Sequence, residues 1–485
     1  MRVLLVHSNR ERLPQPAIPL GLCLVASSLE PAGYQPRLLD LCFSPRPIPD
    51  LDRALADFRP DAIGLSLRNL DNGDYLRPRS YLLELAALAQ HLRSRSRSPL
   101  IIGGPAVSIL PLELLSLLPA DYAIIGDGEQ ALPALLEAIA TGADASALPG
   151  VCPRGQGSPQ FVSTAQVSDV ETLPFAQIGR WLDLNPYLRG GSPLPIQTKR
   201  GCQLKCVYCT YRHIEGPHYR LRSPHSVVAE MDEAQRRWRV RSFEIVDSTF
   251  NHPLDHALAL CQAIVQARLR ADFQTTGLTP AATAPALLQL MKRAGFANVV
   301  CTPDSGSERI LATLKKGFGP EEVARTAAWA READLPILWS FVFGAPGENN
   351  QTVRATLRFM NTVFGPRDRF ICTLGLRIYP GTELAALAAG EGALALEANL
   401  LYPTFYFTPH ITPARVLSLL DASPVRSRMI CLSSLQSPLV ALALRLRRAL
   451  HLPGPPWAYL PVYNKLARLG LRRTSGVKPD SHRER

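Results

Sequence analysis

Three cysteines lie within eight residues in the segment CQLKCVYC, residues Cys202–Cys209, directly after a strand-like run at Pro195–Lys199. This spacing lets one loop supply three thiolate ligands to a compact iron–sulfur cluster. A [4Fe–4S] cluster with three protein ligands keeps one iron free to bind a cofactor or a substrate. The sequence therefore predicts a cluster held by Cys202, Cys206 and Cys209.

A structural zinc site is the main alternative for these cysteines. His213 lies four residues after Cys209, so Cys₃His coordination is chemically possible. Its four ligands would lie within twelve residues, without the separation into two pairs that structural zinc sites usually show. Lys199, Arg200 and Lys205 add positive charge nearby, which favours thiolates and an anionic cluster.

The first 145 residues alternate short β-rich runs with helical stretches, which predicts a doubly wound, Rossmann-like α/β domain. The predicted strands are Val3–His7, Gln35–Asp40, Ala62–Leu67, Leu100–Gly103 and Tyr122–Gly126. The predicted helices include Leu20–Leu29, Tyr81–Leu92 and Glu129–Ala140. Such sheets bind ligands beyond the carboxyl ends of their strands. The candidate ligand-binding residues at these ends are Ser66, Leu67, Arg68, Asn69, Gly103, Gly104, Pro105, Gly126, Gly128 and Glu129.

A second α/β region follows residues 146–192, which are rich in Pro, Gly and Ser and are predicted to form a linker. Residues 193–400 are predicted to form a partial (β/α)₆ barrel of the TIM type, with its chemistry at the carboxyl ends of the strands. Its predicted strands are Pro195–Lys199, Phe243–Asp247, Phe273–Gly277, Asn298–Thr302, Ile337–Phe343 and Leu374–Ile378. Residues 401–485 are predicted to be a small, mostly helical region that ends in a basic tail.

The cysteine motif, placed after the first strand of a six-unit β/α region, resembles that of the radical S-adenosylmethionine (SAM) superfamily. The N-terminal domain is similar to the cobalamin-binding module of its cobalamin-dependent branch. Segments that carry this second resemblance are Pro19–Leu22, Pro60–Ser66, Ile101–Pro105 and Gly126–Glu129. Downstream of the N-terminal domain, Tyr219–Pro224, Asp304–Ser307 and Arg377–Thr382 also resemble the cobalamin-dependent branch. The resemblance covers roughly residues 1 to 400 and implies three cofactors: a [4Fe–4S] cluster, SAM and methylcobalamin.

The resemblance also implies which residues contact SAM. The open iron would chelate the amino and carboxylate groups of SAM, and Tyr208 would lie near the adenine. Asp247 stands where the family contacts the methionine amine, although this chain lacks the family's Gly-Gly-Glu form. Asp304 and Ser305 are candidates for the ribose or the methionine carboxylate. Gly344 and Glu348 would lie near the adenine, with strand-end turns as the alternative interpretation.

The cobalamin module lacks the Asp-x-His-x-x-Gly segment whose histidine ligates cobalt from below. We therefore expect no protein histidine on the lower face of cobalamin. Arg68 follows the third strand at the binding edge, so one hypothesis places it below the corrin. The alternative is a surface arginine that pairs with Asp71 or Asp74.

The function implied by the resemblance is C-methylation of an unactivated carbon, after a 5′-deoxyadenosyl radical has removed its hydrogen. One alternative keeps the cofactors but performs cyclisation, ring contraction or oxidation without methyl transfer. Another is a non-catalytic Fe–S or zinc-binding interaction protein. Trp339, Phe341 and Phe343 alternate along a strand, a pattern more typical of core than of pocket. With the aromatic residues 402–407 and the basic tail, they favour a hydrophobic substrate, a lipid or a natural-product intermediate.

The net charge of +12 arises mainly in the tail, where Ala441–Arg485 contains ten Lys or Arg against two Asp or Glu. No separate RNA-binding domain or aromatic-basic patch is visible, so we expect no nucleic-acid partner. Residues 438–448 could form a basic amphipathic helix that contacts a membrane surface. The sequence offers no signal peptide and no spanning segment, which predicts a cytoplasmic protein with reduced thiols. We also expect a monomer that receives electrons from a donor such as flavodoxin or ferredoxin.

Overall fold

The structure of the protein is a computed structural model. It describes residues 1–13, 15–155, 164–395 and 398–431, together with 442, 443, 446, 450, 456–459 and 462. Most of the predicted amphipathic helix at 438–448, and most of the basic tail, lie outside the described residues. No helix in the described part of the chain is long and apolar enough to cross a membrane.

The N-terminal sheet contains five parallel strands and one antiparallel edge strand. In spatial order its strands are Gln35–Asp40, Arg2–His7, Ala62–Ser66, Leu100–Gly103, Tyr122–Ile124 and Val151–Pro153. The helices of this part are Leu20–Leu29, Pro47–Phe58, Leu82–Arg95, Pro105–Ile109, Pro111–Leu117 and Gly128–Thr141. The order reverses between the first and third strands of the chain, which is where doubly wound sheets bind ligands.

Both faces of this sheet are covered by helices. Val3 and Leu5 pack into one apolar cluster, whereas Leu4 and Val6 pack into another on the opposite face. All four are at most 1% exposed, as expected for a parallel strand buried on both sides. The predicted doubly wound fold is confirmed. Because helices cover both faces, a ligand can reach this sheet at the ends of its strands.

The second sheet contains seven parallel strands in sequential order within the described residues. They are Leu194–Ile196, Ser242–Ile245, Asp272–Leu278, Phe296–Asp304, Ile337–Phe343, Arg369–Leu374 and Met429–Cys431. The flanking helices are Pro224–Trp238, Leu254–Ala267, Pro285–Ala294, Glu308–Thr313, Pro320–Glu332, Asn350–Val363, Glu383–Gly390 and Pro413–Asp421. The two edge strands do not pair with each other, so the barrel is open, and the prediction of a partial barrel is confirmed.

Several shorter elements lie outside the two main sheets. The two-stranded ribbons pair Lys199–Arg200 with Arg220–Leu221, and Leu376–Arg377 with Phe405–Tyr406. The short helices are Ile178–Trp181, Asn185–Gly190 and Tyr211–Ile214, with 3₁₀ turns at Ala145–Ala147, Val170–Thr172, Pro280–Ala282, Arg426–Arg428 and Pro456–Tyr459. The domain boundaries at 145, 192 and 400 stay predictions, although Val151–Pro153 of the predicted linker belongs to the N-terminal sheet.

The sixth barrel strand differs from its prediction. It runs over Arg369–Leu374, whereas Leu374–Ile378 was predicted, because Gly375 adopts a positive φ of 66° and ends the strand. Leu376–Arg377 then leaves the sheet to pair with Phe405–Tyr406. The seventh strand, Met429–Cys431, was not predicted, because three residues are too short to show a period.

The inner and outer faces of the barrel strands differ in burial. Trp339, Phe341 and Phe343 are fully buried in the core between the sheet and its helices. These aromatic side chains are therefore core residues and offer no support for a hydrophobic substrate pocket. By contrast, inward residues such as Glu244 and Gln274 are only half-buried. The inner face therefore carries polar groups on these strands, beside an apolar cluster that includes Leu338, Ile430 and Trp457.

Candidate functional site

The cysteine loop begins directly after the ribbon strand Lys199–Arg200, close to the carboxyl end of the first barrel strand. The backbone N–H of Cys202 donates to the carbonyl oxygen of Gly216 over 3.0 Å. The N–H of Cys209 donates to the carbonyl of Cys206 over 3.1 Å, which closes a tight turn. Backbone hydrogen bonds therefore hold the loop in place at the mouth of the barrel.

The three thiols lie within electrostatic range of one another. The pKa values of Cys206 and Cys209 are both raised, mainly by burial, and that of Cys209 reaches about 12. The neighbouring cysteines raise both pKa values further. Among the described residues, no three His, Cys, Asp or Glu side chains are already arranged to hold a metal ion. The donor set nevertheless fits a three-ligand cluster, since one loop carries three thiols and His213 is exposed.

The lysine and arginine beside the loop have specific partners. Lys199 Nζ lies 2.8 Å from Asp247 Oδ2, and both side chains are fully buried. Arg200 pairs with carboxylates of the N-terminal domain, and Lys205 is exposed. Buried carboxylates therefore pair with Lys199 and Arg200, and the expectation that these positive charges favour an anionic cluster stays a prediction.

Tyr208 links the cysteine loop to the end of the fourth barrel strand. Its hydroxyl donates to Asp304 Oδ2, which also accepts from Lys316 Nζ over 2.7 Å. Lys316 Nζ lies 3.2 Å from the Tyr208 hydroxyl, and the three groups form a closed triangle. Lys316 was missed by the sequence analysis, because one lysine after a helix carries no pattern. The predicted SAM contacts of Tyr208 and Asp304 stay predictions.

Asp247 and Ser305 are held by protein partners. Asp247 Oδ1 accepts from the N–H of Thr198 over 2.7 Å, and Oδ2 accepts from Lys199 Nζ. The Ser305 hydroxyl lies 3.0 Å from that of Thr356 and accepts from the N–H of Ser307. Both side chains are buried, so the structure gives each a local role in fixing a strand end. Their predicted contacts with SAM are not tested.

Gly344 and Glu348 form a compact turn after the fifth barrel strand. The N–H of Gly344 donates to the carboxylate of Glu348, which is completely buried. Burial raises the pKa of Glu348 to about 7. Thr408 donates to the backbone carbonyl of Glu348 over 3.0 Å, so the segment after the barrel also fixes this turn. Their proximity to an adenine stays a prediction.

A cavity of about 550 Å³ lies between the carboxyl edge of the N-terminal sheet and the barrel. The predicted residues that line it are Ser66, Arg68, Asn69, Gly103, Gly104, Pro105, Gly126, Gly128 and Glu129. The barrel side contributes Gln197, Arg200, Tyr211, Ile214, Glu215 and Tyr379. One space is therefore shared by the two domains, directly beside the cysteine loop.

Leu67 is the exception among the predicted cavity residues. Its side chain is fully buried in the apolar cluster on one face of the sheet, because the alternation of the strand turns it inward. Its backbone instead holds the loop at the end of the strand. The N–H of Leu67 donates to the carbonyl oxygen of Gly103 over 2.8 Å, and its carbonyl oxygen accepts from the N–H of Ala106. Leu67 thus supports the loop without contributing a side chain to the cavity.

Arg68 is an exposed residue on the cavity wall. The proposed surface pair with Asp71 is wrong, because Asp71 Oδ2 is bound by Arg377 Nε at 2.8 Å. Neither Asp71 nor Asp74 forms a salt bridge with Arg68 in the described part of the chain. The guanidinium therefore faces the cavity, and its position below a corrin stays a hypothesis.

Two arginines join the N-terminal domain to the cysteine loop. Arg200 Nη2 lies 2.5 Å from Glu129 Oε1, and Arg200 Nη1 lies 2.9 Å from Asp127 Oδ1. Arg220 donates to Asp127 Oδ2 and to the backbone carbonyl of Glu215. All four charged side chains are at most 10% exposed. Glu129 was predicted as a cobalamin contact, but Arg200 binds both of its carboxylate oxygens.

Glu215 is a cavity residue that the sequence analysis missed. Its Oε2 accepts from the N–H of Gly201 over 3.1 Å, and its Oε1 accepts from Gln197 Nε2 over 3.3 Å. Burial raises the pKa of Glu215 to about 7. The carboxylate therefore supports the residue before the first cysteine from the cavity side.

Family comparisons agree with this architecture. The sequence model of the Radical SAM superfamily matches residues 196–360, and that of the B12 binding domain matches residues 7–136. The chain therefore belongs to the cobalamin-dependent branch of the radical SAM enzymes. Its cofactors are a [4Fe–4S] cluster, SAM and cobalamin.

Individual relatives span most of the chain. It is 24% identical over 381 residues to an uncharacterized methyltransferase of Pyrococcus horikoshii, covering 78% of this chain and 79% of that protein. It is 25% identical over 451 residues to tryptophan 2-C-methyltransferase of Streptomyces laurentii, covering 79% and 74%. The solved structure of the methyltransferase TsrM from Kitasatospora setae, with cobalamin and a [4Fe–4S] cluster bound, superposes with a TM-score of 0.82. That match covers 98% of this chain and 99% of that one at 22% identity, which shows a shared fold.

Proposed function

We propose that this enzyme methylates an unactivated carbon of a small molecule. The observation that supports the proposal is the single cavity that the cobalamin loops and the cysteine-loop side of the barrel share. Cys202, Cys206 and Cys209 would hold the cluster, and Arg68, Gly104 and neighbouring loop residues would contact cobalamin. When bound, these cofactors supply radical initiation and a transferable methyl group.

The protein's own groups orient and enclose the substrate. The Arg200–Glu129 pair and the Glu215 carboxylate fix the cysteine loop against the N-terminal domain. The apolar residues Ile18, Leu20 and Ile109 line the other side of the cavity and limit access of water. A substrate with an apolar carbon skeleton fits this lining. The aromatic side chains Trp339, Phe341 and Phe343 are buried in the core, so they do not support a purely hydrophobic substrate.

We also propose an electron donor, an oligomeric state and a membrane contact for the enzyme. A small soluble donor such as flavodoxin or ferredoxin would reduce the cluster, and the chain would act as a cytoplasmic monomer. A peripheral membrane contact through the basic tail is proposed from charge alone, since that segment lies largely outside the described residues.

The test is anaerobic turnover of the reconstituted holoenzyme with SAM that carries a deuterated methyl group. We expect a labelled C-methyl product and about one 5′-deoxyadenosine per product when candidate substrates are supplied. Cys206→Ser should abolish both, whereas Lys205→Ala on the same loop should retain them. Formation of 5′-deoxyadenosine together with an unmethylated product would establish the cyclisation or oxidation alternative. Absence of any SAM cleavage would favour a non-catalytic protein.

A further inference from the structure

Three polar residues stand side by side on the inner face of the barrel. Glu244 is in register with Gln274 on the next strand, and Gln274 is in register with Asn298 on the strand after it. Their sequence neighbours Phe243 and Phe273 are fully buried on the outer face. The alternation of the strands therefore directs all three polar side chains into the barrel.

A hydrogen-bond chain gives these side chains a fixed orientation. Trp457 Nε1 donates to Asn298 Oδ1 over 2.5 Å, and Asn298 Nδ2 donates to Gln274 Oε1 over 3.0 Å. Because the oxygen of Gln274 is already an acceptor, its amide nitrogen is the group that is free to donate to Glu244. Gln274 is directly opposite Glu244 in the strand register, so this nitrogen lies on the same inner face as the Glu244 carboxylate. Every donor in the chain thus points toward Glu244.

The Glu244 carboxylate is short of partners in its surroundings. Burial is the main cause that raises the pKa of Glu244, while the neighbouring Gln274 amide and the positive charge of Arg68 act in the opposite direction. A carboxylate can accept about four hydrogen bonds, and a buried one is stable when it is paired with a cation. Arg68 of the N-terminal domain acts on Glu244 only through long-range electrostatics, because no salt bridge joins the two side chains in the described residues.

We propose that Glu244, oriented by Gln274 and Asn298, accepts a protonated amine of the substrate inside the barrel. The inference rests on the proposed function, because it assigns a chemical class to the substrate of that site. Glu244 lies within the second barrel strand Ser242–Ile245, and Asp247 follows the end of that strand by two residues. The amine would anchor the substrate inside the barrel, while its apolar part extends toward the cavity that faces cobalamin.

The experiment measures binding of two probes to the anaerobic holoenzyme with cluster and cobalamin loaded. Tryptamine carries an ammonium group, and 3-ethylindole has the same skeleton without it. We expect the wild type to bind tryptamine at least tenfold more tightly, by calorimetry or by perturbation of the cobalamin spectrum. Glu244→Gln should remove that preference, and Glu244→Asp should restore part of it. Glu233→Gln, which replaces a half-buried carboxylate paired with Arg237 on the outer helix Pro224–Trp238, is the control.

Several outcomes would overturn the amine site. These are equal binding of the two probes by the wild type, no binding of either, or an unchanged preference in Glu244→Gln. A Glu244→Gln variant that loses affinity for SAM while it keeps the probe preference would assign the carboxylate to SAM instead. Methyl transfer to an amine-free substrate that is unaffected by Glu244→Gln would reject this inference and leave the proposed function standing.

Discussion

Arg200 and Glu129 form a bidentate ion pair across the two domains, with Arg200 Nη1 3.1 Å from Glu129 Oε2 and Nη2 2.5 Å from Oε1. Their side chains are only 7% and 3% exposed. Arg200 lies two residues before Cys202, and Glu129 lies directly after Gly128 on the cavity wall. The pair therefore connects the loop that would hold the cluster with a loop that would hold cobalamin.

Removing one partner of this pair should uncouple the two cofactor sites. Glu129→Gln removes one of the two carboxylates paired with the buried Arg200 guanidinium and leaves Asp127 as its partner. Breaking a buried pair completely costs roughly 3–5 kcal/mol, so the loss of stability here should be smaller. We expect methyl transfer to fall at least tenfold while 5′-deoxyadenosine continues to form. The ratio of methylated product to 5′-deoxyadenosine, measured by mass spectrometry, reports the uncoupling.

The matched control is Glu30→Gln. Glu30 also pairs with an arginine distant in sequence, Arg180, at 2.7 Å, but the two side chains are 36% and 51% exposed. Exposed pairs contribute about 0–1 kcal/mol, so this variant should keep the product ratio of the wild type. A ratio that changes equally in both variants, or in neither, would contradict a specific role for Arg200 and Glu129.

Arg68→Ala tests the hypothesis that this arginine lies below the corrin. Because Arg68 faces the cavity and has no carboxylate partner at Asp71, its removal should change the absorption spectrum of bound cobalamin and weaken its binding. Arg77→Ala is a suitable control, since Arg77 is exposed on the same segment and does not line the cavity. Unchanged spectrum, affinity and turnover in Arg68→Ala would contradict the hypothesis.

Gly104→Ala should weaken cobalamin binding through a steric effect. Gly104 has a φ of +105°, and an added Cβ would lie 2.7 Å from the carbonyl oxygen of Leu67. Backbone atoms cannot move away easily, so the loop at the cavity edge must shift. Gly142→Ala is the control, because Gly142 also has a positive φ, +71°, but open space around its Cβ position.

The two variants differ in backbone strain as well as in the clash. Gly142, with φ 71° and ψ 19°, is in the left-handed region, where an alanine costs about 1 kcal/mol. Gly104, with φ 105° and ψ 176°, is in a region that essentially only glycine adopts, so Gly104→Ala should lose more stability. Only Gly104→Ala should lower the affinity for cobalamin, measured by equilibrium dialysis, and by several-fold. Equal affinities in the two variants would show that the edge loop tolerates the change.

The fold could be predicted because its signals are periodic. The strand Gln35–Asp40 and the helix Leu20–Leu29 agree with their predicted bounds. The exposure of the edge strand alternates over its first four residues, and the helix is an apolar run that begins directly after Pro19. The helix Pro47–Phe58 was missed, because its two prolines look like a loop although the first occupies the first turn. A proline is tolerated in the first turn of a helix because the backbone N–H that it lacks would have no helical partner there.

The site was predictable only where the ligands are adjacent in sequence. Cys202, Cys206 and Cys209 share one loop, so their spacing alone indicates a cluster. Arg200 and Glu129 are 71 residues apart, and Lys316 meets Tyr208 across 108 residues. Contacts of this kind depend on how strands and domains pack, and no local pattern encodes them.

Glu348→Gln should remove a pH dependence from the stability of the folded protein. Burial raises the pKa of Glu348 from 4.5 to about 7 in the folded state. Between these values the folded protein retains a proton that the unfolded chain has released, so rising pH favours unfolding. The stabilisation is complete below about pH 4.5, lost through about pH 7, and at most about 3 kcal/mol, since one pKa unit corresponds to 1.36 kcal/mol. Glutamine keeps an oxygen that can accept from the Gly344 N–H, but it has no proton to lose.

Melting temperatures measured from pH 4.5 to 8 would show the effect. The wild type should lose stability over this interval more steeply than Glu348→Gln, and the two curves should run parallel above about pH 7.5. Glu113→Gln, which replaces an exposed carboxylate of the helix Pro111–Leu117, should follow the wild-type curve. Curves of identical slope for the wild type and Glu348→Gln would mean that Glu348 is already ionised in the folded protein near pH 5. The carboxylate would then need a cation close to Oε1, which has no hydrogen-bond partner among the described residues.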